Sequence, residues 1–100
     1  MSFYDPVTLL CFSIEEGDVS KVKQALTSGV DPNGQSSSWG QTRPLILAAS
    51  LGHLEIITAL LEHPNLDPNL TDGTFGNTAL IEASITGDTD VVRLLTKDKR

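Results

Sequence analysis

An all-α solenoid of three stacked helix–turn–helix units, joined by long polar loops, is the fold that this 100-residue chain predicts. Three observations predict it. Gly17-Asp18, Gly52-His53 and Gly87-Asp88 recur at a period of 35 residues (52 − 17 and 87 − 52), and a fixed period of this size marks a stacked repeat. The flanks recur in step, since Leu10-Cys11-Phe12-Ser13, Leu45-Ile46-Leu47-Ala48 and Leu80-Ile81-Glu82-Ala83 each begin seven residues before their glycine. Downstream, Val30-Asp31-Pro32-Asn33 returns as Leu66-Asp67-Pro68-Asn69, displaced by one residue that is added near His63-Pro64-Asn65.

Each copy opens with a helix: Thr8 to Glu16, Pro44 to Leu51 and Ala79 to Thr86. Pro44 suits a first turn, where a missing N–H costs nothing. The glycine ends the helix by taking the left-handed conformation, and Asp18 and Asp88 are placed to cap the next helix through its free backbone N–H groups. Second helices follow over Val19 to Ser28, Leu54 to Glu62 and Thr89 to Lys97. Val19, Val22 and Leu26, like Leu54, Ile57 and Leu61, fall at helical spacing, so each hairpin carries an apolar face that needs a neighbour.

Length bounds the chain to one domain over residues 1–100, with repeats at about 8–42, 43–77 and 78–100. An apolar content of 39% suffices for a core, and no run approaches the roughly 20 apolar residues that span a bilayer. No secretory signal precedes the first helix, so a cytoplasmic location, with the nucleus as the alternative, is the default expectation. The net charge of −6 repels phosphate backbones and anionic lipid heads, which argues against nucleic acid and membrane as partners. Cys11, the single cysteine, lies in the apolar run Leu9-Leu10-Cys11-Phe12 and reads as a core residue.

Arg43-Pro44-Leu45-Ile46-Leu47-Ala48-Ala49-Ser50-Leu51-Gly52-His53-Leu54-Glu55-Ile56-Ile57 resembles the motif of the ankyrin-repeat family: a Thr-Pro-Leu start, an Ala-Ala helix, then Gly-His and an amphipathic helix. The resemblance runs from about Thr8 to Lys97. Arg43 departs from the usual Thr, which weakens a bond at the helix start, and Ile46 and Ile81 replace the usual His. The resemblance implies that the inter-copy loops form projecting hairpins. It also implies that a protein or peptide partner is held on the concave face, by the hairpin tips and the exposed ends of the first helices. That assigns Ser38, Trp39, Gln41, Thr74, Phe75 and Asn77 to the tips, and Glu15, Glu16, Ser50, Leu51, Ile85 and Thr86 to the helix ends. Trp39 and Phe75 each precede a glycine, and with Leu51 and Ile85 they are large apolar residues at positions implied to be exposed. They are either partner anchors or rings folded back onto their own loops.

In a solenoid, terminal copies turn polar on opposite faces. The first copy alone is polar at Lys21 (against Ile56 and Val91) and Gln24 (against Ala59 and Leu94). The last alone is polar at Thr89 (against Val19 and Leu54), Thr96 (against Leu26 and Leu61) and Glu82 (against Phe12 and Leu47). The first and last copies are therefore expected to be caps, and the chain a monomer.

No catalytic, metal or cofactor constellation emerges. His53 and His63 lack the companions of a metal site, with His53 expected at a turn and His63 at the negative end of a helix dipole. Ser36-Ser37-Ser38 lack an ordered base and read as loop. Asn33 and Asn69 are expected to order the turns in which they sit. The function expected is a non-catalytic module that binds a protein or peptide, basic or neutral, as a scaffold; the alternatives are a regulatory inhibitor that occludes an enzyme or transcription factor, or the N-terminal binding part of a larger protein.

Overall fold

The computed structural model describes residues 4–37, 42–73 and 75–98. Six helices occupy them: α1 (Pro6–Glu16), α2 (Val19–Thr27), α3 (Pro44–Leu51), α4 (Leu54–Leu61), α5 (Ala79–Thr86) and α6 (Thr89–Lys97). Three of their twelve boundaries differ from the sequence expectation. Asp5 accepts the Thr8 N–H at 2.7 Å and Pro6 occupies the first turn, so α1 begins two residues before the expected Thr8. The α2 and α4 helices end one residue short of expectation, at Thr27 and Leu61.

All three inter-helix glycines are left-handed, with φ of 73°, 73° and 75° at Gly17, Gly52 and Gly87. The chain then turns back through bonds from Asp18 N–H to the Ser13 carbonyl, His53 N–H to Ala48 and Asp88 N–H to Ala83, the closing pattern of a glycine-terminated helix. Asp18 and Asp88 cap α2 and α6 by accepting from the Lys21 and Val91 N–H groups. His53 starts α4 without a side-chain cap bond, and Arg43 likewise leaves α3 uncapped, as its departure from Thr implies.

The first helices pack in one row, α1 on α3 on α5, and the second helices in another, α2 on α4 on α6. Between the rows lies a single core that includes Leu10, Ile14, Val22, Ile46, Ile56, Ile57, Leu60, Ala83 and Val91. One hairpin could not bury this much apolar surface; three do. Lys21, Gln24, Thr89 and Thr96 are exposed and Glu82 is half-buried. Three apolar residues are also open: Leu54 on the outer row, and Leu80 and Ile81 on the last inner helix.

Candidate functional site

The loops are hairpins at their bases. Ser36 N–H donates to the Thr42 carbonyl at 2.8 Å, and Asp72 N–H donates to the Asn77 carbonyl at 2.9 Å. The first base is pinned to α1 through Thr8, whose buried hydroxyl lies 3.0 Å from both the Asp5 carboxylate and the Ser36 hydroxyl, and 3.2 Å from that of Ser37. Ser36 and Ser37 are thus structural, as a loop reading requires. Bonds from the Thr8 N–H first, then from the Ser37 hydroxyl, hold the Asp5 carboxyl below its ordinary value.

Arg43 supplies a connection that a sequence motif does not announce. Its guanidinium donates to the Thr71 carbonyl at 2.7 Å and to the Asn33 carbonyl, tying one loop to the next. Asn33 does the same: its amide donates to the Asn65 carbonyl at 2.7 Å and accepts the Asp67 N–H at 2.8 Å. The turns themselves are ordered by Asp31 and Asp67, whose carboxylates accept the N–H groups of Asn33 and Asn69, each at 2.9 Å. Asn33 therefore bridges copies instead of ordering its own turn. His63 Nδ1 accepts the Asn65 N–H at 3.1 Å, so its ring orders the turn after α4.

Of the residues expected to meet a partner, Ser38, Trp39, Gln41 and Thr74 lie outside the described residues. Phe75 is 79% exposed, which leaves no packed role for its ring in its own loop. Asn77 is half-buried at the hairpin base, not at its tip: its N–H reaches Asp72 at 3.2 Å and its amide donates to Glu82 at 2.9 Å. Because α1, α3 and α5 pack side by side, their last turns form a row in which Glu15, Glu16, Ser50, Leu51, Ile85 and Thr86 are all exposed. Leu51 is 43% and Ile85 68% exposed. The Ser50 and Thr86 hydroxyls donate to the carbonyls of Leu47 and Ala83, so toward a partner they are acceptors. Phe75 precedes α5 and Ile85 lies near its far end, about 10 Å along an eight-residue helix; the two flank the inner row and do not form one cluster.

Burial, ahead of the Asp5 charge, pushes the Cys11 thiol up to about 12, which removes the nucleophilic thiolate. Among the described residues no group of three or more His, Cys, Asp or Glu side chains could hold a metal, and no helix is long and apolar enough to cross a membrane. A groove of about 560 Å3 on the outer row, between α4 and α6, was not legible from the pattern; Leu54, Thr58, Ala59, Arg93, Leu94 and Lys97 line it. Its one signal is Leu54, apolar at an outward-facing first turn.

A family model for ankyrin repeats, in three copies, matches residues 10–100. The human transient receptor potential cation channel subfamily A member 1 is 33% identical over 97 residues, which is 97% of this chain and 8% of that protein. The potassium channel SKOR of Arabidopsis thaliana is 38% identical over 89 residues, 88% of this chain and 10% of its own length. The mouse 2-5A-dependent ribonuclease is 39% identical over 57 residues, covering 57% of this chain and 8% of that protein. The chain thus spans a tenth or less of these relatives. Ankyrin repeats are generally protein-interaction modules and typically non-catalytic.

Proposed function

We propose that this chain, which belongs to the ankyrin-repeat family, is a non-catalytic module that holds a protein or peptide against the last turns of α1, α3 and α5 and the hairpin before α5. The observation that carries this reading is the exposure of Phe75, Ile85 and Leu51 along that side. Large apolar side chains left open in this way gain most when a partner covers them, and aromatic residues of this kind dominate many interfaces. The net charge and the Glu15-Glu16 end of the row favour a basic or neutral partner. Two channels and a ribonuclease carry similar stretches; proteins of such different names share a binding part more readily than an activity. The small fraction of each relative that is matched favours a second aspect, that the module serves a larger protein whose activity resides elsewhere.

The test is a Trp39→Ala, Phe75→Ala double variant compared with the original chain in affinity capture and in denaturant unfolding. Anchors predict that the captured partner disappears. For Phe75→Ala alone, stability should stay within about 0.5 kcal/mol, as for other exposed positions. Retained capture by the double variant, or a large stability loss from Phe75→Ala alone, would overturn the assignment.

A further inference from the structure

We infer that the segment held on the inner row is an extended peptide that crosses α1, α3 and α5, with a Lys or Arg over the end of α1 and a large apolar residue over the end of α5, about five or six residues apart. This rests on the proposed function and adds the partner's chemistry and its orientation. Equivalent positions in the three copies set the polarity. Glu15, Ser50 and Ile85 stand 35 residues apart, as do Glu16, Leu51 and Thr86, and all six are exposed. One line across three helices thus runs from carboxylates to a branched aliphatic side chain.

Charge is divided between the two rows in the same sense. The inner helices carry Glu15, Glu16 and Glu82 and no Lys or Arg, whereas the outer helices carry Lys21, Lys23, Arg93 and Lys97 against Glu55 and Asp90. A helix C-terminus is the negative end of the peptide dipole and ordinarily attracts a cation, yet the last turns of α1, α3 and α5 all lack a basic residue. At α1 the local rule is broken outright, because the dipole opposes Glu15 and Glu16. Lys21 reaches Glu16 at 3.9 Å, but no ion pair among the described residues engages Glu15. Carboxylates that their own helix disfavours gain from a cation brought by a partner.

Hydrogen bonding points the same way independently. Ser50 Oγ donates to the Leu47 carbonyl at 2.8 Å and Thr86 Oγ1 to the Ala83 carbonyl at 3.0 Å, so their remaining capacity, like that of the two carboxylates, is to accept. The side chains of these six residues offer acceptors and apolar surface, and the occupant must supply donors. A Lys or Arg brings donors and charge together. An extended backbone has free N–H groups for Ser50 and Thr86, whereas a helix keeps its own bonded internally. Packed helices lie about 8–10 Å apart, which puts α1 and α5 roughly 16–20 Å apart. An extended chain at about 3.3 Å per residue covers that distance in about five or six residues.

The test pans a phage-displayed library of random peptides on the 100-residue chain. Selected peptides are expected to carry Lys or Arg about five or six residues from a large apolar residue, in either chain direction. Such a peptide, made synthetically, should bind the Glu15→Gln, Glu16→Gln variant about two- to fivefold more weakly per lost pair at low salt, and this difference should vanish at high salt. It should bind Ile85→Ser more weakly at every salt concentration. The glutamine variant should match or exceed the original denaturant midpoint, because the dipole no longer opposes two charges. Peptides that weaken on Ile85→Ser but ignore the glutamine variant would overturn this inference and leave the proposed function standing. A library with no binder sensitive to Ile85→Ser would overturn both. A lower midpoint for the glutamine variant would overturn the inference alone, since the carboxylates would then serve the fold.

Discussion

At the scale of single residues, most side-chain bonds in this protein do structural duty at a chain reversal. Asp5 is the sharpest case, because one carboxylate caps α1, meets the Thr8 hydroxyl and accepts from Ser37 in the first hairpin. Its carboxyl lies below its ordinary 3.8 through the Thr8 N–H above all. A carboxyl with a lower value in the folded chain stabilises it fully above the unfolded value, and that support drains away as pH falls through the folded value. Acid titration of stability should therefore fall more steeply below about pH 3.8 for the original chain than for Asp5→Asn; parallel curves would refute the depressed value. Among the described residues, the ion pairs of Lys21 with Glu16 at 3.9 Å and of Arg93 with Asp90 at 3.8 Å are exposed and add little.

At the scale of elements, the hairpin of two short helices is specified by a glycine and the residue after it. None of the helices exceeds 11 residues, too short to persist alone in water, so their ends must be fixed by local chemistry and their faces by neighbours. The three left-handed glycines were legible from the repeat, as were the caps Asp18 and Asp88. What the repeat could not show is that equivalent glycines have unequal surroundings. Alanine at Gly52 and at Gly87 should each cost about 1–2 kcal/mol for a left-handed backbone. Gly52→Ala should cost more, because its Cβ displaces Asp88, whose other oxygen caps α6, and a lost cap adds about 1 kcal/mol. Equal losses in urea melts would show that Asp88 can retreat without leaving its cap.

At the scale of the whole molecule, stability resides in the two interfaces between copies, with the second copy sharing both. Ile57, fully buried in α4, should cost about 2–5 kcal/mol when changed to Ala, and loss should appear as an earlier single transition; local loosening confined to α4 in amide exchange would contradict a shared core. The sequence by itself determined the three copies, the helix boundaries to within two residues, the left-handed glycines and the apolar faces. Each of these is a local or periodic property, set by backbone sterics, capping and the spacing of apolar residues. Only the tertiary structure decided that Asn33 and Arg43 tie one copy to the next, that Asn77 closes a hairpin base while Phe75 stands open, and that Leu80 and Ile81 lack the cover their counterparts have. Those outcomes depend on which groups from distant parts of the chain come within bonding or contact distance, and a periodic pattern records that a face is apolar without recording what lies against it.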